Sequence, residues 1–150
     1  MTQAHNPIDV IHQELMGQLH DIVRVCNAHD IPYNLMCGTL LGAVRHKGFI
    51  PWDDDIDLGM PRPDFQKFEA VVEKELPEHL HYVNYRKTSG YHHYVPRITD
   101  SRVKVVDESA SVDREKDAWI DIFPLDGMPG NKFLRKLHCF RLLVARVRVN

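Results

Sequence analysis

The sequence predicts an α/β (α+β) fold, a mixed sheet with flanking helices, and three observations predict it. Apolar residues near the N-terminus, ahead of Pro77 and at the C-terminus recur at three- and four-residue steps, the spacing of amphipathic helices. Short runs rich in β-branched and aromatic residues, punctuated by Gly, Pro, Asp and Ser, occupy the middle and read as strands. The 150 residues, 43% of them hydrophobic, suffice for one domain with a core.

Ile8, Ile11, Leu15, Leu19, Ile22, Val23 and Cys26 share one face of a helix predicted over Ile8–His29, which closes near Asp30-Ile-Pro32. Tyr33–Cys37 reads as a short strand stopped by Gly38-Thr39. A brief helix over Leu40–Val44 follows, with Thr39 as its N-cap and Gly48 at C′. Pro51 biases Ile50 toward extended geometry, and a second strand is expected over Asp55–Met60. Pro61 and Pro63 bracket Arg62. Asp64 is then expected to cap a helix in which Phe65, Phe68, Val71, Val72 and Leu76 share a face before Pro77.

Leu80–Tyr85, Tyr94–Thr99 and Arg102–Val106 read as strands separated by the turns Thr88-Ser-Gly90 and Thr99-Asp-Ser101, and His92 and His93 are expected on opposite faces of a strand. A charged loop, Asp107–Asp117, leads to the strand Ala118–Phe123. In the last helix, Lys132–Val149, Phe133, Leu134, Leu137, Phe140, Leu143, Val144 and Val147 fall in register. It stops at Asn150 with no Gly, Pro or cap, so a continuation beyond the C-terminus is expected. Residues 1–150 read as a single domain without repeats.

No apolar run approaches the roughly 18 residues that span a bilayer, and the N-terminus is polar, so a cytoplasmic protein is expected. Three cysteines without a CxxC spacing suggest neither a disulfide framework nor a zinc knuckle. The formal charge is −2, but Asn131–Asn150 carries six Lys/Arg and no acid, which leaves residues 1–130 with 13 bases against 21 acids. No nucleic-acid partner is expected. The apolar face of the basic terminal helix needs cover, and protein packing is expected ahead of peripheral contact with an anionic membrane; a homo-oligomer is one form of it.

The run Trp52-Asp-Asp-Asp-Ile-Asp57 carries the chemistry. In a strand, alternate residues share a face, so Asp53, Asp55 and Asp57 point one way and Ile56 and Leu58 into the core. Converging carboxylates repel unless a cation sits among them, which points to Mg²⁺ or Mn²⁺; the competing reading is a solvated acidic loop. Gly38-Thr39 at a helix start is the kind of terminus whose backbone N–H groups bind phosphate, and with a nearby metal it describes phosphoryl transfer. Asp121, between Ile120 and Ile122, is the expected third carboxylate, because a charge among apolar neighbours is costly unless ligated or paired. Asp126 is the reserve, and an edge-strand, solvent-facing Asp121 is the competing reading.

Gly38–Arg45 (GTLLGAVR), His46–Asp57 (HKGFIPWDDDID) and Trp119–Asp126 (WIDIFPLD) together resemble the LicD family, the phosphocholine transferases of bacterial surface glycans, which are related to the fukutin-type ribitol-phosphate transferases. The resemblance runs from about Ile8 to Pro129. It implies a nucleotidyltransferase-like fold and metal-dependent transfer of phosphocholine or a similar phospho-alcohol from a CDP-linked, CDP-choline-like donor. The acceptor implied is a hydroxyl of a cell-surface glycan such as lipopolysaccharide or teichoic acid. By position, Gly38 and Thr39 match the phosphate-contacting motif, Asp55 and Asp57 the metal pair and Asp121 the later acidic position. Arg45 and Lys47 are expected to screen phosphates, although Arg45 also suits a helix-end cation. Asp53 is expected to take the hydroxyl proton. Trp52, Tyr91 and Tyr94 offer aromatic faces to choline's quaternary ammonium, with Trp52 also read as a packing residue under the acidic strand. Members of the family continue well past the point where this chain stops.

Three other functions compete. A nucleotidyltransferase passing NMP to a small molecule would use the same apparatus. A non-catalytic paralogue would keep the fold alone. A calcium-binding loop is disfavoured because Leu58 stands where the sharp turn needs Gly.

Overall fold

The computed structural model describes residues 7–106 and 115–149. Most of the charged loop expected over Asp107–Asp117 therefore lies outside the described residues. Among the described residues nine elements follow one another: α1 (Pro7–Ala28), β1 (Asn34–Leu35), α2 (Cys37–Arg45), β2 (Ile56–Pro61), α3 (Arg62–Glu75), β3 (Leu80–Val83), β4 (Arg97–Val106), β5 (Glu115–Leu125) and α4 (Lys132–Val149). The strands form a five-stranded mixed sheet in the order β1-β2-β5-β4-β3. Only β2 and β5 run parallel, and α3 lies in the connection between them. This is the α/β mixed sheet with flanking helices that the sequence predicts.

Period-two alternation divides the sheet. Ile56, Leu58 and Met60 of β2, Ala118, Ile120 and Ile122 of β5, Ile98 of β4 and Leu80 and Tyr82 of β3 are buried on one face. Against that face α1 lays Leu15, Ile22, Val25 and Cys26, and α3 lays Phe65, Phe68 and Val72. Burying a side chain of this kind contributes roughly 1.5–3 kcal/mol, so these rows hold the sheet and helices together. The alternate residues Asp57, Arg97, Trp119 and Asp121 are thereby committed to the opposite face.

Several boundaries differ from expectation. Helix α2 starts at Cys37 with Met36 as its N-cap, so Thr39 sits inside the first turn instead of capping it. Its C-cap is His46, and the left-handed residue that follows is Lys47 (φ 59°), not Gly48. Lys47 tolerates that strain while its ammonium donates to the Val44 carbonyl at 3.2 Å. Helix α3 begins at Arg62 with Pro61 as N-cap, placing Asp64 in the first turn as an acid favoured by the helix dipole and not as the cap.

The turn expected at Thr99-Asp-Ser101 is a register shift inside one continuous strand, β4. Asp100, fully buried, accepts from the Arg102 backbone and guanidinium, so its charge is satisfied without breaking the strand. Tyr94–Val95 and the two histidines precede β4, so His92 and His93 do not lie on opposite faces of a strand. They belong to a loop held by the Tyr91 hydroxyl, which donates to the Val95 carbonyl at 2.5 Å. Helix α4 matches its expected bounds but leaves Phe133, Phe140, Leu143 and Val147 at least 60% exposed. Among the described residues no helix is long and apolar enough to cross a membrane.

Candidate active site

The parallel pairing of β2 with β5 sets Asp57 directly beside Asp121, and the chain entering β2 brings Asp55 to the same place. One carboxylate oxygen from each of Asp55, Asp57 and Asp121 lies within 4.8 Å of the other two. Asp57 and Asp121 are buried and Asp55 is half-buried. Asp121 therefore stands on a central strand facing the cluster, not on an edge facing solvent. Three hard oxygen donors at this separation fit a divalent cation such as Mg²⁺ or Mn²⁺.

Electrostatics at the cluster reflect the crowding. Burial, followed by the charges of Asp57, Asp53 and Asp54, pushes the Asp55 carboxyl up to about 7. Burial also raises Asp57, opposed by the Cys37 thiol, which hydrogen-bonds to its carboxylate, and by the Arg97 guanidinium. Asp121 is answered by Arg97, whose Nε donates to one carboxylate oxygen at 2.6 Å and whose Nη2 donates to the other at 3.3 Å. The same guanidinium lies 4.8 Å from the centre of the Trp119 ring.

Helix α2 meets the cluster with its N-terminus. The Met36 amide donates to the Asp57 carbonyl at 2.9 Å, and the Thr39 hydroxyl accepts from the Asp57 amide at 2.8 Å. Because Leu40 N–H is the first to find an intrahelical acceptor, at Met36, the amides of Cys37, Gly38 and Thr39 are the orphan donors of the first turn. A Cβ at Gly38 would lie 2.6 Å from Asp53 Oδ2, so a side chain there would require the Asp53 carboxylate to move aside. At Gly59 a Cβ would meet Met36 Sδ at 2.2 Å, so the side chain of the α2 N-cap residue would have to repack.

The remaining sequence candidates fall elsewhere. Asp53 precedes β2 and turns one buried carboxylate oxygen, without a partner among the described residues, toward Gly38, outside the three-carboxylate group; its carbonyl accepts from His12 at 2.7 Å. Arg45 closes α2 about 10 Å from Gly38 at 1.5 Å per residue, and Lys47 follows the helix and donates to the Val44 carbonyl. Trp52 is 79% exposed, so it does not pack beneath the acidic strand. Tyr94 is also exposed, and Asp126 is paired with Arg62 at 2.6 and 2.8 Å on the surface. Sequence reasoning did not single out Arg97 or Cys37. The available signal for Arg97 was a lone cation in a predicted strand, which acquires a partner only once β4 is paired with β5.

The sequence model described as LicD/FKTN/FKRP, nucleotidyltransferase domain, matches residues 30–138. The chain is 40% identical over 106 residues to the lipopolysaccharide cholinephosphotransferase LicD of Haemophilus influenzae, a match covering 70% of this chain and 39% of that protein. It is 32% identical over 125 residues to a protein of Rickettsia typhi, covering 80% and 34% respectively. Over 50 residues it is 51% identical to the ribitol 5-phosphate transferase FKRP of Homo sapiens, which is 33% of this chain and 10% of that protein. The chain thus spans well under half the length of these relatives.

Proposed function

The chain belongs to the LicD/FKTN/FKRP nucleotidyltransferase family, and from that premise we propose that it transfers phosphocholine, or a similar phospho-alcohol, from a CDP-linked donor to a hydroxyl of a glycan. The observation that carries the proposal is the convergence of Asp55, Asp57 and Asp121 at the first turn of α2. Similarity to a lipopolysaccharide cholinephosphotransferase and a ribitol 5-phosphate transferase supports the substrate class.

Asp55, Asp57 and Asp121 would hold Mg²⁺ or Mn²⁺, which when bound neutralises the charge of the donor diphosphate. The amides of Gly38 and Thr39 receive the phosphate oxygens, with the helix dipole behind them. Arg97 fixes the Asp121 carboxylate. The acceptor hydroxyl attacks phosphorus as the bond to the CMP oxygen breaks, and its proton passes to a carboxylate. Asp53, which lies outside the three-carboxylate group with one buried oxygen facing Gly38, is the carboxylate left to take that proton. Incubation with CDP-choline or CDP-ribitol, Mg²⁺ and a glycan acceptor is expected to release CMP. Pyrophosphate released from a nucleoside triphosphate, with no CMP from either CDP compound, would instead establish nucleotidyl transfer.

A further inference from the structure

On the same sheet face as the carboxylates, but over β5, β4 and β3, lies a pocket of about 440 Å³ whose walls include Arg97, Thr99, Asp117, Trp119 and the loop residues His92 and His93. We propose that this pocket is the acceptor site and that it takes a neutral, polyhydroxylated sugar; the inference rests on the transfer reaction proposed above.

Position argues first. Sheet order places α2 and its orphan amides at the β1–β2 side of the cluster and the pocket at the β4–β3 side, with Asp57 and Asp121 between. In phosphoryl transfer the attacking and leaving oxygens are roughly in line across phosphorus. A donor whose phosphates lie on α2 therefore leaves its CMP on that side, and the nucleophile must arrive from the other. Adjacent strands are about 4.8 Å apart, so the pocket is within one sugar's reach of the centre.

Chemistry argues second. A sugar presents hydroxyls that both donate and accept, and the pocket is lined by the Thr99 hydroxyl, the His92 imidazole and the Asp117 carboxylate, one oxygen of which already accepts from Lys104. Trp119 adds an apolar ring wall, and its indole N–H has no acceptor among the described residues. The pocket's guanidinium is already committed to Asp121 and to the Trp119 ring face, so neither Arg97 nor that ring face is open to a diphosphate or a quaternary ammonium. The loop carrying the histidines is pinned by Tyr91, so the wall is preformed.

The test uses the two tryptophans of the full chain as reporters. The Trp119 indole signal is assigned in a ¹⁵N-labelled protein by comparison with Trp52→Phe. The protein is titrated with the methyl glycosides of glucose, galactose and N-acetylglucosamine, and separately with CMP plus Mg²⁺. At least one glycoside is expected to shift the Trp119 indole, and Thr99→Val is expected to weaken that response about tenfold while leaving the CMP response unchanged. CMP with Mg²⁺ is expected to move the Gly38 and Thr39 amides. A Trp119 indole that follows cytidine but none of the glycosides, or that follows nothing, overturns the acceptor assignment. Gly38 and Thr39 amides that ignore CMP and Mg²⁺ count against the transfer reaction itself, so the two failures are distinguishable.

Discussion

At the scale of single residues the candidate site is a set of like charges held close together. The Asp55 carboxyl is raised from its ordinary value to about 7, so the metal-free folded state keeps a proton that the unfolded chain releases near pH 4. Its ionisation therefore weakens the fold progressively as pH rises from about 4 to 7, and the full penalty is present above 7. Asp55→Asn is expected to raise the melting temperature of the metal-free protein at pH 8 by roughly 5 °C and to leave it unchanged below pH 4. An equal effect at both pH values would show that the carboxyl is not crowded. Asp100 behaves oppositely. Burial raises its pKa, but the hydrogen bonds from the Arg102 side chain and backbone outweigh that and hold it below the usual value. Its stabilisation is present above the unfolded pKa and lost as pH falls through the folded one. Asp100→Asn is expected to cost about 1–3 kcal/mol at neutral pH and to flatten the acid limb of a stability–pH curve measured by urea melts.

Among the elements, α2 and β2 are locked to one another through backbone groups. Thr39→Val removes the acceptor of the Asp57 amide and should cost about 1–2 kcal/mol and at least tenfold in turnover, whereas Thr39→Ser should retain both. Equal losses in the two variants would place the effect in packing and not in the hydroxyl. The existence of α1, α2, α3, α4 and of the strands around Asp57 and Asp121 was legible from periodicity and punctuation. The caps were not, because Pro61 and Met36 occupy N-cap positions without a side-chain cap hydrogen bond, so Thr39 and Asp64 looked like better candidates than the residues that start the helices. The bulge in β4 was hidden for a related reason: Thr-Asp-Ser is turn chemistry, and only Arg102 folding back on Asp100 makes it compatible with a strand. Helix α4 was predicted to its bounds, but the sequence contains nothing that says what it packs on. Because most of its side chains are exposed, ending the chain at Gly130 should leave the melting temperature of the remainder within about 2 °C. A larger fall would show that α4 supports the sheet.

Over the whole molecule, one face of the sheet makes the core and the other makes the site, and the period of two connects them. Ile56, Leu58, Ile120 and Ile122 commit Asp57 and Asp121 to the opposite side, and parallel register places the two side by side. That much of the site could be read in advance from Asp-Ile-Asp and Ile-Asp-Ile. Arg97 could not, since its partner lies 24 residues away and is reached only through antiparallel pairing of β4 with β5. The central claim is that these three carboxylates form one divalent-metal centre, and titration of Mn²⁺ followed by electron paramagnetic resonance tests it most directly. The wild-type chain is expected to bind Mn²⁺ at a single site competed by Mg²⁺, with affinity lowered at least tenfold in Asp57→Asn and in Asp121→Asn while circular dichroism and melting show both variants folded. Folded variants that bind Mn²⁺ as tightly as the wild type would contradict it.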